Sequence, residues 1–185
     1  QVARHATVVL IPGLWAPHLC LTALSRRLRH AGYDVRGFSY PSVHTGFEEN
    51  AARLDHYLAG LGADTIHLVG HSLGGVLIRA LFHYYPNQRP GRVVTLGAPH
   101  GGSLVAERLA RGALGRKLLG RGVAQLLAGA PRAWKLPGRE LGVLSGCRSI
   151  GLGRVLTRLL YPNDGVLTQA ETGRAGARDQ IVLPV

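Results

Sequence analysis

The sequence predicts an α/β fold, a mostly parallel sheet with helices on both faces. Three observations point there. Short β-branched apolar runs bounded by glycine and proline alternate with segments of helical period, as in a sheet buried on both sides. Each connection between successive runs is long enough to be a right-handed crossover. At residues 65–80, Thr-Ile-His-Leu-Val-Gly-His-Ser-Leu-Gly-Gly-Val-Leu-Ile-Arg-Ala, an apolar run passes through a tight glycine-framed turn directly into a helical pattern. The 185 residues suit a single domain, 1–185, and 46 % apolar against 17 % charged residues is a globular balance.

The elements follow in chain order. Thr7 to Pro12 reads as the first strand, and Pro17 to His30 as a helix with Leu21, Leu24 and Leu28 on one face. Asp34 to Tyr40 is the next strand and Gly46 to Leu61 the next helix. Thr65 to Gly70 enters the turn, and Ser72 to Tyr85 leaves it as a helix that turns Leu73, Val76, Leu77, Ala80 and Leu81 inward. Arg92 to Leu96 is a further strand. Beyond Gly101 the alternation lapses. Ser103 to Gly129 carries leucine and arginine at helical spacing, interrupted at Gly112, Gly115, Gly120 and Gly122, which predicts two short helices. This stretch reads either as a helical lid at about 103–140 inserted above the sheet or as an ordinary crossover helix. Val143 to Leu152 holds another strand, and Gln180 to Val185 is strand-like again. Neither an internal repeat nor a low-complexity tract is present.

Several function classes fall away on composition. No run of eighteen or more uncharged apolar residues occurs, so no segment reads as a membrane-spanning helix. The balance of 22 basic against 10 acidic residues gives +12, and most of the excess lies between Gly101 and Leu160, where eleven arginines and lysines meet only Glu107 and Glu140. A solvated arginine-rich surface, a peripheral contact with anionic membrane and nucleic-acid binding compete for that charge. Nucleic acid is the least supported, since no recognition motif or aromatic interleaving accompanies the charge. Cys20 and Cys147 leave the redox compartment open, and Cys20 reads as a small core residue in a helical pattern. No leader segment is visible; the chain opens at Gln1 and contains no methionine, which reads as a processed or trimmed product of open localisation.

The chemistry centres on Ser72. A side chain at so sharp a strand-to-helix turn sits in a strained backbone conformation, and the positions two before and two after it, Gly70 and Gly74, must lack bulk. The bland alternative is a glycine turn with an incidental serine. A serine nucleophile implies acyl transfer, and it needs a base, a carboxylate to orient that base, and two N–H donors for the developing oxyanion. One donor is the residue after the nucleophile, Leu73; the other belongs to the loop after the first strand, where Gly13 lets the backbone turn, making Leu14 the candidate and Trp15 the fallback. Asp164, in an Asp-Gly context downstream of the serine, is the candidate acid, with Glu171 and then Asp179 behind it.

The stretches Val-Leu-Ile-Pro-Gly-Leu (9–14), Gly-His-Ser-Leu-Gly-Gly (70–75), Gly-Ala-Pro-His-Gly-Gly-Ser (97–103) and Pro-Asn-Asp-Gly-Val (162–166) together resemble the α/β-hydrolase superfamily, and more narrowly its bacterial lipase and esterase branch. That resemblance implies the α/β-hydrolase fold over nearly the whole chain. It also implies Ser72 as nucleophile, Asp164 as triad acid, Leu14 and Leu73 as oxyanion donors, and hydrolysis of a small-molecule or lipid carboxylic ester without a cofactor. One departure is that Pro12 stands where such families often carry the histidine of a His-Gly pair; a backbone donor survives that change.

The chain order of such enzymes calls for a histidine after the acid, and all nine histidines lie at or before His100. None of them pairs at a metal-ligand spacing, so no metal site is expected. One expectation is that the chain is incomplete at its C-terminus and that the base follows Val185. A second makes His100, on the loop after the strand next to the elbow, an unorthodox base. From a different functional class, a catalytically inactive lipid- or partner-binding module with this fold remains the alternative.

Overall fold

A computed structural model describes residues 6–14, 21–100, 106–107, 110–132, 134, 141–146 and 179–183. Six strands, β1 (Ala6–Ile11), β2 (Asp34–Gly37), β3 (Thr65–His71), β4 (Val93–Leu96), β5 (Leu141–Gly146) and β6 (Asp179–Leu183), form one sheet. Its order is β2-β1-β3-β4-β5-β6, with every pairing parallel. Among the described residues, α1 (Thr22–His30), α2 (Phe47–Ala59), α3 (Leu73–Tyr84) and α4 (Ala113–Leu127) are the longer helices that cover it.

The period-2 alternation of β1 divides the core. Val8 and Leu10 face one way and pack with Leu21, Val35 and Val69, closed over by Leu24 and Leu28 of α1. Val9 and Ile11 face the other way and join the larger cluster built by α2, α3 and α4. Helices therefore cover both faces, as the alternation of apolar runs predicts. The inward face expected of α3 is buried in full: Leu73, Val76, Leu77, Ala80 and Leu81 are at most 3 % exposed.

Element boundaries move by a few residues. Strand β2 ends at Gly37, not Tyr40. The Phe38 N–H still donates to the Leu10 carbonyl at 3.0 Å, after which the chain leaves the ladder and the Tyr40 hydroxyl bonds the Pro12 carbonyl instead. Strand β5 begins at Leu141, two residues before the expected start. The proposed break in the Ser103 to Gly129 stretch falls at Gly120, whose φ of 75° and ψ of −173° are non-helical, while Gly115 and Gly122 stay within the helix. A side chain at Gly120 would collide with the Val43 carbonyl, and the next N–H, of Arg121, donates to that same oxygen at 3.0 Å. The kink is thus the seat for the loop between β2 and α2.

Among the described side chains of α4, Leu119, Val123 and Leu126 are buried in the main core beside α2 and α3. The segment that follows is held by Arg79 of α3, a side chain 1 % exposed whose guanidinium donates to the Pro131 and Trp134 carbonyls. Trp134 packs edge-on against Phe47 at 5.3 Å between ring centroids. The described part of the 103–140 stretch is therefore a layer of the core as much as a cover. No described helix is long and apolar enough to cross a membrane.

Candidate functional site

Sheet order locates the site before any side chain is considered. The chain runs from β1 outward to β2, then returns past β1 to place β3 on its other side, so the direction of winding reverses between β1 and β3. In an open parallel sheet the crevice at the carboxyl ends of such a strand pair is the natural binding place. The loop that leaves β1 carries Pro12, Gly13 and Leu14; the turn that leaves β3 carries Ser72.

Ser72 has φ 52° and ψ −123°, and it is the only non-glycine residue with positive φ among those described. Such a conformation costs on the order of 1–3 kcal/mol and persists only where the surroundings enforce it. They do so here through hydrogen bonds and through missing side chains. The Ser72 N–H donates to the Leu96 carbonyl of β4 at 2.9 Å, and the Ser72 carbonyl accepts from Gly75 N–H at 3.0 Å. A Cβ at Gly70 would stand 2.6 Å from the backbone of Gly75, and one at Gly74 would strike the Ile11 carbonyl. The two glycines flank the serine because β3, α3 and the end of β1 meet there backbone to backbone.

Gly13 completes the approach. A Cβ added to it would lie 2.8 Å from Ser72 Cβ and 3.3 Å from Ser72 Oγ, so the loop after β1 rests directly on the serine. Leu73 is the first residue of α3, where N–H groups have no carbonyl a turn earlier to accept them. Leu14 lies half-buried on the loop and packs against the main core. The structure thus brings Ser72, Leu73 and the Gly13–Leu14 turn to one point. Asp164 and the alternative Glu171 lie outside the described residues, as do Trp15, Cys20 and Cys147. Asp179 opens β6 in register with Gly142, at the amino end of the strand, whereas Ser72 lies past the carboxyl end of β3.

His100 stands on the loop after β4, and its ring is 2 % exposed. Its Nε2 shares a 3.1 Å hydrogen bond with Thr95 Oγ1, a β4 side chain whose methyl group faces the first turn of α3 at Gly75. His67 lies in the amino half of β3, where its Nδ1 accepts the Arg92 N–H at 3.0 Å; burial first, and the Arg92 charge second, hold its pKa below the ordinary histidine value. No group of three or more histidine, cysteine, aspartate or glutamate side chains that could hold a metal ion occurs among the described residues.

Sequence reading missed Tyr40. Its hydroxyl donates to the Pro12 carbonyl at 3.0 Å, one bond from Gly13, and burial pushes the phenol pKa well above its usual value. A signal existed: a tyrosine at the end of a strand paired with β1 reaches the same sheet edge as the loop after β1, and a half-buried hydroxyl needs an acceptor.

The sequence profile described as the alpha/beta hydrolase family matches residues 8–180. The chain belongs to that family. Two curated proteins are similar to parts of it. N-formylmaleamate deformylase of Pseudomonas putida is 36 % identical over 78 residues, covering 38 % of this chain and 29 % of that protein. A Pantoea ananatis protein described, provisionally, as a carbamate hydrolase is 37 % identical over 107 residues, covering 52 % of this chain and 38 % of that protein. The aligned part is thus well under half the length of either relative. Among solved structures, a metagenomic carboxyl esterase superposes with a TM-score of 0.73 at 21 % identity, over 95 % of this chain and 62 % of the esterase. That likeness is one of fold.

Proposed function

We propose that the protein is a serine hydrolase that cleaves carboxylic esters with an apolar acyl group through an acyl-enzyme on Ser72. The observation that carries this reading is the strained Ser72 held against Gly13 at the point where the winding of the sheet reverses. In the proposed reaction the Ser72 hydroxyl attacks the ester carbonyl and gives its proton to a general base. The carbonyl oxygen gathers negative charge between the Leu14 and Leu73 N–H groups, and the alcohol leaves as the C–O bond breaks. Water then releases the acid. Asp164 is the proposed carboxylate. His83 and His100 are the histidines of this sequence that follow Ser72, and His100 is the one on a loop beside the elbow. No cofactor is required by this chemistry. The leucine-rich stretch at about 103–140 supports the choice of an apolar acyl group.

A second reading has its own support. The curated relatives are named as a deformylase and a carbamate hydrolase, and an acyl-enzyme on serine can form from an amide as well as from an ester. The test uses the full-length natural protein and its Ser72→Ala variant with p-nitrophenyl esters of graded chain length, an N-formyl amide and an aryl carbamate. The ester reading expects Ser72-dependent turnover that rises with acyl length. Turnover of the amide alone moves the substrate class to C–N bonds. Binding of substrate with neither turnover nor a covalent adduct on Ser72 replaces the enzyme with a binding module of the same fold.

A further inference from the structure

The loop that rests on Ser72 has few means of holding its own shape. Pro12 has no N–H, Gly13 has no side chain, and β1 ends at Ile11, so sheet bonding stops one residue before the loop begins. Its orientation is supplied from outside. The Pro12 carbonyl lies between two neighbours: the Tyr40 hydroxyl, which donates to it at 3.0 Å, and Gly74, where a Cβ would stand 2.7 Å from the same oxygen. The peptide joining Pro12 to Gly13 is planar, so fixing its carbonyl fixes the direction of the Gly13 N–H and the start of the turn to Leu14.

We infer that Tyr40 is a positioning residue for the oxyanion-binding loop, its hydroxyl setting the pitch of the Pro12–Gly13 peptide against Ser72. This rests on the reading of Ser72 as nucleophile. Tyr40 is itself well placed to act as a rigid anchor, because its ring stacks on Phe38 with 6.0 Å between centroids and 11° between planes. Burial raises the phenol pKa above its ordinary value, which favours the protonated, donating form. The same chain segment is tied at its other end, where the Val43 carbonyl accepts from Arg121 at the kink of α4. Tyr40 therefore links the loop on Ser72 to a stretch that α4 already holds. The hydroxyl touches no reacting atom in this scheme; it acts through the backbone.

The test compares Tyr40→Phe with wild type, with Ser72→Ala and with Tyr57→Phe, all in the full-length natural protein. Tyr57 is a control within the same aromatic cluster: its ring packs on Phe38 with 5.3 Å between centroids, and its hydroxyl donates to the Gly37 carbonyl at 3.2 Å rather than to the loop on Ser72. Two readouts are used, the rate of covalent capture by an alkyl fluorophosphonate and the split between kcat and KM for the best ester, with folded fraction measured by circular dichroism. The inference expects capture and kcat to fall by roughly tenfold or more in Tyr40→Phe, in the range of a weakened oxyanion contact, while KM holds and Tyr57→Phe matches wild type. Wild-type kcat in Tyr40→Phe overturns it, provided Ser72→Ala is inert. So does a fall that disappears once the rate is expressed per folded molecule, or one that Tyr57→Phe reproduces. Failure of the wild type to be captured at Ser72 is a different outcome, since it removes the nucleophile reading and this inference together.

Discussion

Ser72 carries a backbone conformation that serine does not adopt unless it is held there. Its φ of 52° follows from what surrounds it: a carbonyl of β4 taking its N–H, and the glycines at 70 and 74 letting β3, α3 and β1 close to backbone contact. Gly13 adds a constraint that bears on chemistry more than on folding. Gly13→Ala would put a methyl group 2.8 Å from Ser72 Cβ and 3.3 Å from Oγ. The expected result is a destabilisation of about 1–3 kcal/mol, the usual range for a forced extra carbon. A loss of Ser72 reactivity on the order of a hundredfold or more should accompany it, because the turn that bears the proposed donor is displaced. Fluorophosphonate labelling set beside a thermal melt separates the two effects.

At the scale of elements, the α2 C-terminus shows how a helix end is closed by a remote side chain. The Arg89 guanidinium donates to the carbonyls of Leu58 and Ala59, in the last turn of α2, and to those of Leu61 and Ala63 beyond it. The Leu58 carbonyl also accepts the Leu61 N–H at 3.1 Å, so Arg89 adds to the turn that closes the helix and reaches carbonyls past it. Replacing Arg89 with alanine is expected to lower stability by roughly 2 kcal/mol, less than four buried bonds would give since water reaches part of the site, and Arg89→Lys should restore only part because an ammonium cannot fork. A urea titration of the three proteins measures it. Much of this architecture is legible in the sequence, because periodicity 2 and 3.6 and the glycine and proline punctuation are local signals. β1, β3, α2 and α3 lie within two residues of where those signals put them. The glycine at 120 marks a real break in α4, although Gly115 and Gly122 look the same in sequence and make none; what distinguishes Gly120 is the Val43 carbonyl from a loop nearly eighty residues earlier. Tyr40 bonds the Pro12 carbonyl on the loop after β1, a partner brought near only by the pairing of β2 with β1. Contacts that depend on which strands become neighbours leave no local trace.

At the scale of the molecule, the sheet order puts the β1 loop and the elbow into one crevice, and that convergence gives the alpha/beta hydrolase family assignment its structural counterpart. The charge of +12 is the other global feature, concentrated between Gly101 and Leu160. Of the competing readings of that charge, contact with anionic membrane is the one a vesicle experiment tests directly. Co-sedimentation with vesicles containing phosphatidylserine should retain the protein at low salt and release it as salt rises past about 0.15 M, where the screening length shortens to about 8 Å, with neutral phosphatidylcholine vesicles retaining none. Equal retention on both vesicle types would assign the arginines to a solvated surface instead.

The most direct test of the central claim is to map the adduct formed when the full-length natural protein is treated with an alkyl fluorophosphonate. The expected result is a single phosphonylated peptide spanning Gly70 to Arg79, modified at Ser72 and absent from Ser72→Ala. An adduct on another residue, or labelling that Ser72→Ala leaves intact, would contradict the assignment of Ser72 as the nucleophile.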